Sequence, residues 1–198
     1  MKSGVIDRRL LIIAMFTAMI TLQLRIPNYY TLLIPPIVIA AIVIFSYWRE
    51  IVEYDWKQIR TKRFIKETYL ATTNGIIAQA VGILTLVYVI GVKEPVFGVA
   101  ITPFIIFNST FISAILEEVV YRKIIFNVLD RRFGFWAAAI LSSVVFAISH
   151  YNYAAYLGYF LLGIVWCMAY KKTNNLGVVI AAHTIFNAAY FVVRSLQE

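Results

Sequence analysis

Hydrophobic residues gather in long runs separated by short polar or basic connections, the pattern of a polypeptide that crosses a bilayer repeatedly. Seven runs approach or exceed the length needed to cross about 30 Å of hydrocarbon: Leu10–Leu24, Thr31–Trp48, Tyr69–Val92, Val99–Val128, Phe133–His150, Tyr153–Tyr170 and Leu176–Val193. The first is short. Each is expected to be a helix, because an open strand leaves its backbone unsatisfied in lipid. Pro35 and Pro36, near the start of the second run, read as a tolerated kink. The expected fold is an all-α, polytopic transmembrane helical bundle of about seven spans.

Composition agrees with the pattern. Of 198 residues, 62% are hydrophobic and only 14% charged, against about 25% charged in a soluble domain. The net charge of +8 does not indicate a nucleic-acid partner, because Lys and Arg fall in short clusters between apolar runs. Lys2, Arg8 and Arg9 precede the first run, six basic residues occupy Arg49 to Glu67, Arg131 and Arg132 follow the fourth run, and Lys171 and Lys172 follow the sixth. The intervening turns carry only Arg25, Lys93 with Glu94, and no charge between His150 and Tyr153. That alternation predicts an integral membrane protein with its amino terminus cytoplasmic.

Three features bound the organisation further. No A-x-A-like site follows the first run before Arg25 and Pro27, so it reads as an uncleaved span rather than a signal peptide. The Arg49 to Glu67 connection mixes Trp56, Ile59, Phe64 and Ile65 with basic residues, as an interfacial helix or a solvated basic loop would. Cys167 is the only cysteine, which excludes an intrachain disulfide and a CxxC motif. Residues 1–98 comprise amino-terminal transmembrane helices and the basic loop, and residues 99–198 a core within the same membrane domain.

The chemistry concentrates in Ile115 to Asn127, where Glu117, Glu118, Arg122 and Lys123 interrupt an apolar run. Intramembrane charges cost about 2.5 to 3.5 kcal/mol each on insertion scales, which makes them functional candidates. On a helix, Glu118 and Arg122 are i and i+4 with the acid first, the favourable order for an ion pair. Glu117 lies about 100° around the helix from Glu118 and is free to face elsewhere. A purely structural clasp between helices would use the same charges.

The two histidines of the chain change the balance. If the fourth and fifth runs fold back near Phe133, Glu117 and His150 come to nearly equal depth on antiparallel helices. In the last run His183 and Asn187 are i and i+4 and share a face. Four polar side chains from three helices can therefore converge. A carboxylate with an imidazole can hold and deprotonate a water, while an imidazole N–H and an amide can stabilise an oxyanion. Glu117, His150 and His183 could equally ligate zinc and leave a fourth position for water. No HExxH is present and the same residues suffice without metal, so no cofactor is the preferred expectation.

The three pieces E117-E118-V-V-Y-R122, F146-A-I-S-H150 and H183-T-I-F-N187 resemble the EExxxR, FxxxH and HxxxN/D motifs of the CPBP family, the CAAX proteases and bacteriocin-processing enzymes also called Abi proteins. The resemblance covers Val99 to about Phe191. It implies an intramembrane glutamic-type endopeptidase acting on a membrane-associated peptide or protein, with Glu117 as general base and His150 helping to hold the water. His183 and Asn187 would form the oxyanion hole, Glu118 and Arg122 would support the site, and Phe146 would pack it. The chain departs from the family in having Lys123 where Gly commonly follows the motif arginine, and seven runs where eight are typical of the prenyl-protein proteases. Those departures bear on the substrate, which could be a prenylated protein or a bacterial peptide precursor, and the resemblance implies a bacterial plasma membrane as the setting. A non-proteolytic scaffold, such as an immunity or regulatory protein, is the alternative from another class; a small transporter would need charges on several helices rather than one.

Overall fold

The computed structural model describes residues 7–93, 102–150 and 152–196. Lys2 and Glu94 of the charge ladder and the first residues of the run beginning at Val99 lie outside the described residues. Among these residues eight helices follow one another: α1 (Arg8–Arg25), α2 (Tyr29–Ser46), α3 (Trp48–Val52), α4 (Lys62–Leu84), α5 (Pro103–Phe133), α6 (Phe135–Ile148), α7 (Tyr156–Thr173) and α8 (Leu176–Ser195). There is no strand among the described residues. The protein is an all-α polytopic membrane bundle, as the apolar runs predict.

Among the described residues, five helical stretches are long and apolar enough to cross a membrane: Tyr29–Ser46, Lys62–Val89, Pro103–Phe133, Tyr153–Thr173 and Leu176–Ser195. The other two expected runs form shorter or more polar helices. α1 carries Arg8, Arg9 and Arg25 at its ends, and α6 has 14 residues and stops just short of His150. α1 is capped by Asp7, which accepts from the Arg9 amide at 3.0 Å, and the bond from the Arg9 side chain lowers the Asp7 carboxyl to about 2. The Arg49–Glu67 connection contains α3 and a short 3-10 turn, Trp56–Arg60, before α4 begins. Trp48, Trp56 and Ile59 are exposed beside basic residues there, as in an interfacial segment.

Pro35 and Pro36 do not break α2. Two prolines remove the amides that would bond to the carbonyls four residues earlier, those of Thr31 and Leu32. Both carbonyls are recovered by side-chain amides: Gln23 of α1 donates to Thr31 at 3.2 Å and Asn108 of α5 donates to Leu32 at 2.9 Å. In hydrocarbon such replacement is what makes a proline tolerable.

α7 is held between α4 and α6 by glycines, the small residues that let membrane helices approach closely. A Cβ on Gly82 of α4 would lie 2.2 Å from the backbone nitrogen and 2.3 Å from the Cα of Gly158. On another side of α7, a Cβ on Gly163 would meet Ser143 Oγ of α6 at 2.7 Å. α5 and α6 form an antiparallel hairpin turning at Gly134, whose φ of 78° suits glycine.

Ion pairs gather at the basic end of the bundle. Glu50 meets both Arg8, at 3.0 Å, and Lys123, while Asp130 meets Lys171 at 2.6 Å and Glu67 meets Lys172 at 2.7 Å. Lys123 thus sits level with the end of α2, and the last turns of α5 run beyond it towards Arg131 and Arg132.

Candidate active site

α5 is regular at Ala114–Glu118 but passes through π-helical turns at Asn108–Ser113 and Val119–Phe126. Such turns are rare, and they are frequent at functional sites. Here they flank the two acidic residues. Glu118 is fully buried and its Oε1 lies 3.2 Å from Arg122 Nη1, an ion pair without hydrogen-bond alignment. The Arg122 guanidinium stands over the rings of Phe146 and Trp166, at 4.5 and 5.3 Å from their centroids. Aromatic faces thus take contacts that water would make at a surface.

The same Glu118 oxygen accepts from His183 Nδ1 at 2.9 Å. His183 Nε2, at the other side of the ring, is 3.9 Å from Glu117 Oε2. The adjacent acids therefore face opposite nitrogens of one imidazole, Glu118 bonded to it and Glu117 set back from it. His150 approaches the same Glu117 oxygen with its Nε2 at 3.7 Å, while its Nδ1 lies 2.7 Å from the Phe146 carbonyl. The hairpin thus places Glu117 and His150 face to face, as its arithmetic predicts. Glu117 and His150 side chains keep 17% and 21% of their surface exposed, whereas His183 keeps 4%, so the first two form the open lip of the site.

Hydrogen-bond partners assign the tautomers. A carbonyl and an ion-paired carboxylate can only accept, so both imidazoles carry their proton on Nδ1. Both Nε2 lone pairs then converge on a carboxylate oxygen. Three acceptors around one point suit a water flanked by an additional N–H, or a cation. Metal-binding histidines commonly hold their outer N–H in this way. The oxygen–nitrogen separations are nevertheless wider than the roughly 3.3 Å edge of a tetrahedral zinc site with ligands at about 2.0 Å, and among the described residues no group of three or more His, Cys, Asp or Glu is arranged to hold a metal.

Asn187 lies one turn beyond His183 on α8 and donates to the Ser109 carbonyl, in a π turn of α5, at 2.8 Å. Phe146, fully buried, meets the rings of His150 and His183 edge-on, with interplanar angles of 66° and 81°. Arg122, His150 and His183 thus meet the two acids and Phe146 packs among them, while Asn187 lies one turn beyond His183 with its amide on α5. Sequence reading missed Ser109, Tyr159 and Trp166. Tyr159 stacks on His150 with centroids 3.8 Å apart, and Trp166 covers His183 at 4.4 Å. Their seven-residue spacing marks one face of α7, but core aromatics show the same spacing.

Fold and site together define a helical membrane protein with a buried acid–imidazole centre. Residues 99–189 match the family described as Type II CAAX prenyl endopeptidase Rce1-like. The chain is 35% identical over 95 residues to "Putative membrane peptidase YdiL" of Bacillus subtilis, across 48% of this chain and 38% of that protein. It is 36% identical over 101 residues to "Membrane-embedded CAAX protease MroQ" of Staphylococcus aureus, across 48% of this chain and 41% of that protein. The chain thus spans about two fifths of the length of these curated relatives. No solved structure matches. The family match and both names agree with the CPBP resemblance carried by the three motifs.

Proposed function

We propose that the protein is an intramembrane endopeptidase that hydrolyses a peptide bond of a membrane-associated protein or peptide precursor. The observation that carries this reading is the convergence of His150 Nε2 and His183 Nε2 on Glu117 Oε2, at 3.7 and 3.9 Å. A water there donates to Glu117, which takes its proton as the oxygen attacks the scissile carbonyl. His150, its Nδ1 proton held by the Phe146 carbonyl, orients that water through Nε2. The oxyanion needs donors. Asn187 keeps a second amide proton besides the one given to Ser109, and His183 offers an Nε2–H when it carries two protons. Glu118, held by Arg122, is the counter-charge on the far side of that ring.

Glu117 precedes Lys123 by six residues, fewer than two helical turns. Nearness to the Arg8–Glu50–Lys123 cluster supports a reading in which water and substrate enter from the basic side, taken as the cytoplasmic face of a bacterial plasma membrane. The name of the Staphylococcus aureus relative makes a CAAX protein one candidate substrate; a bacterial peptide precursor is another.

The test is cleavage of candidate peptides by purified protein in bilayer discs, comparing wild type with Glu117→Ala and His183→Ala. Both substitutions are expected to reduce turnover by about two to four orders of magnitude with the bundle folded. Normal cleavage by Glu117→Ala would sink the mechanism, and a cellular phenotype that survives both substitutions would favour a scaffold.

A further inference from the structure

Each imidazole of the site is restrained on three sides. Nδ1 is fixed by an acceptor, the Phe146 ring abuts an edge, and α7 supplies a facing aromatic plane. Tyr159 lies nearly parallel to His150, with an interplanar angle of 22°, and Trp166 lies at 36° to His183. Around them Phe146 makes only edge-on contacts, from 62° to 83°. What remains unrestrained on each ring is Nε2, and both Nε2 atoms point at Glu117. A side chain with an unblocked ring torsion would lose that aim, since a histidine's second torsion is broad.

α7 is itself firmly placed. Trp166 Nε1 donates to the Ala71 carbonyl of α4 at 3.3 Å, and Gly82 and Gly158 bring the two backbones into contact. We propose that Tyr159 and Trp166 are positioning residues, a pair of aromatic plates one helix face apart by two turns, that set the ring planes of His150 and His183 for hydrolysis. The inference rests on the peptidase reading for its functional half and on geometry for the rest. It assigns α7, which bears none of the motif residues, a direct part in the site. Ring area is what the plates supply, so phenylalanine should replace tyrosine at 159, whereas leucine should not.

The presence of only two histidines in the chain makes the test direct. Protein carrying nitrogen-15 and carbon-13 in its histidines, placed in bilayer discs, yields two sets of imidazole resonances, assigned by His150→Gln and His183→Gln. Tyr159→Leu should displace and broaden the His150 set alone, Trp166→Leu the His183 set alone, and Tyr159→Phe neither. With a cleavable peptide, Tyr159→Leu should lower kcat about ten- to a hundredfold and leave KM within about twofold, and Tyr159→Phe should restore the rate. The proposal falls if the His150 resonances are indifferent to Tyr159→Leu, if either substitution moves both sets together, or if Tyr159→Phe is as impaired as leucine. Resonances that move as expected in a protein that cleaves nothing would leave the plates standing and refute the peptidase reading instead.

Discussion

Removing the Arg122 guanidinium while keeping its volume, as in Arg122→Met, isolates the electrostatics of the site. Glu118 and Arg122 keep 0% and 1% of their side-chain surface, and the remaining partner of Glu118 is the imidazole of His183. Breaking a buried pair by deleting one charge typically costs about 3–5 kcal/mol, because the survivor is left uncompensated. That is roughly two to three and a half orders of magnitude in the unfolding equilibrium. Lost contact with the Phe146 and Trp166 rings adds to it. The paired substitution Glu118→Gln/Arg122→Met removes both charges, and the new amide oxygen can still accept from His183 Nδ1. It should therefore recover most of the lost stability, giving a large coupling energy in a double-mutant cycle. Reversible unfolding in bicelles or mixed micelles measures all four corners. A cost below about 1 kcal/mol for Arg122→Met, or a double variant no more stable than the single one, would refute the view that pairing makes these charges tolerable.

Other expectations follow from the packing and the donor set. Gly82→Ala should destabilise the bundle strongly and lower its thermal midpoint, because the added carbon would meet backbone atoms of Gly158 that no side-chain rotation can move; an unchanged midpoint would refute that contact. Asn108→Leu should cost about 1–3 kcal/mol by leaving the Leu32 carbonyl without its donor, and the cost should vanish when Pro36→Ala restores a helical amide. Dialysis against a chelator should leave cleavage unchanged if water and protons alone occupy the centre, while inhibition reversed by zinc would assign Glu117, His150 and His183 as its ligands.

Much of the architecture was legible because a bilayer leaves few choices: apolar runs become helices, and charges within them need partners. The approach of Glu117 to His150 could be worked out from nearly equal residue counts on either side of the turn, at the rise of a regular α-helix. Other features depend on events that leave little trace in composition. α6 stops before His150, so this run does not form a helix of full spanning length. The π turns of α5 are set by packing, and with them the sharing of His183 by both acids. Tyr159 and Trp166 are ordinary apolar-run aromatics until the α4–α7 contact fixes which way they face. The two prolines showed that something must bond to the Thr31 and Leu32 carbonyls, but naming Gln23 and Asn108 requires the fold.

The contact between Gly82 and Gly158 joins residues on opposite sides of the boundary at which the family match begins. The matched stretch, 99–189, is therefore not a transplantable module: α7 is seated on a groove that α4 provides from outside it. An amino-terminal half exchanged for that of a relative would need small residues at the positions of Gly75 and Gly82 in the same register. Without them, the exchanged half would push α7 outward and carry the two aromatic planes away from the imidazoles, even with every motif residue unchanged.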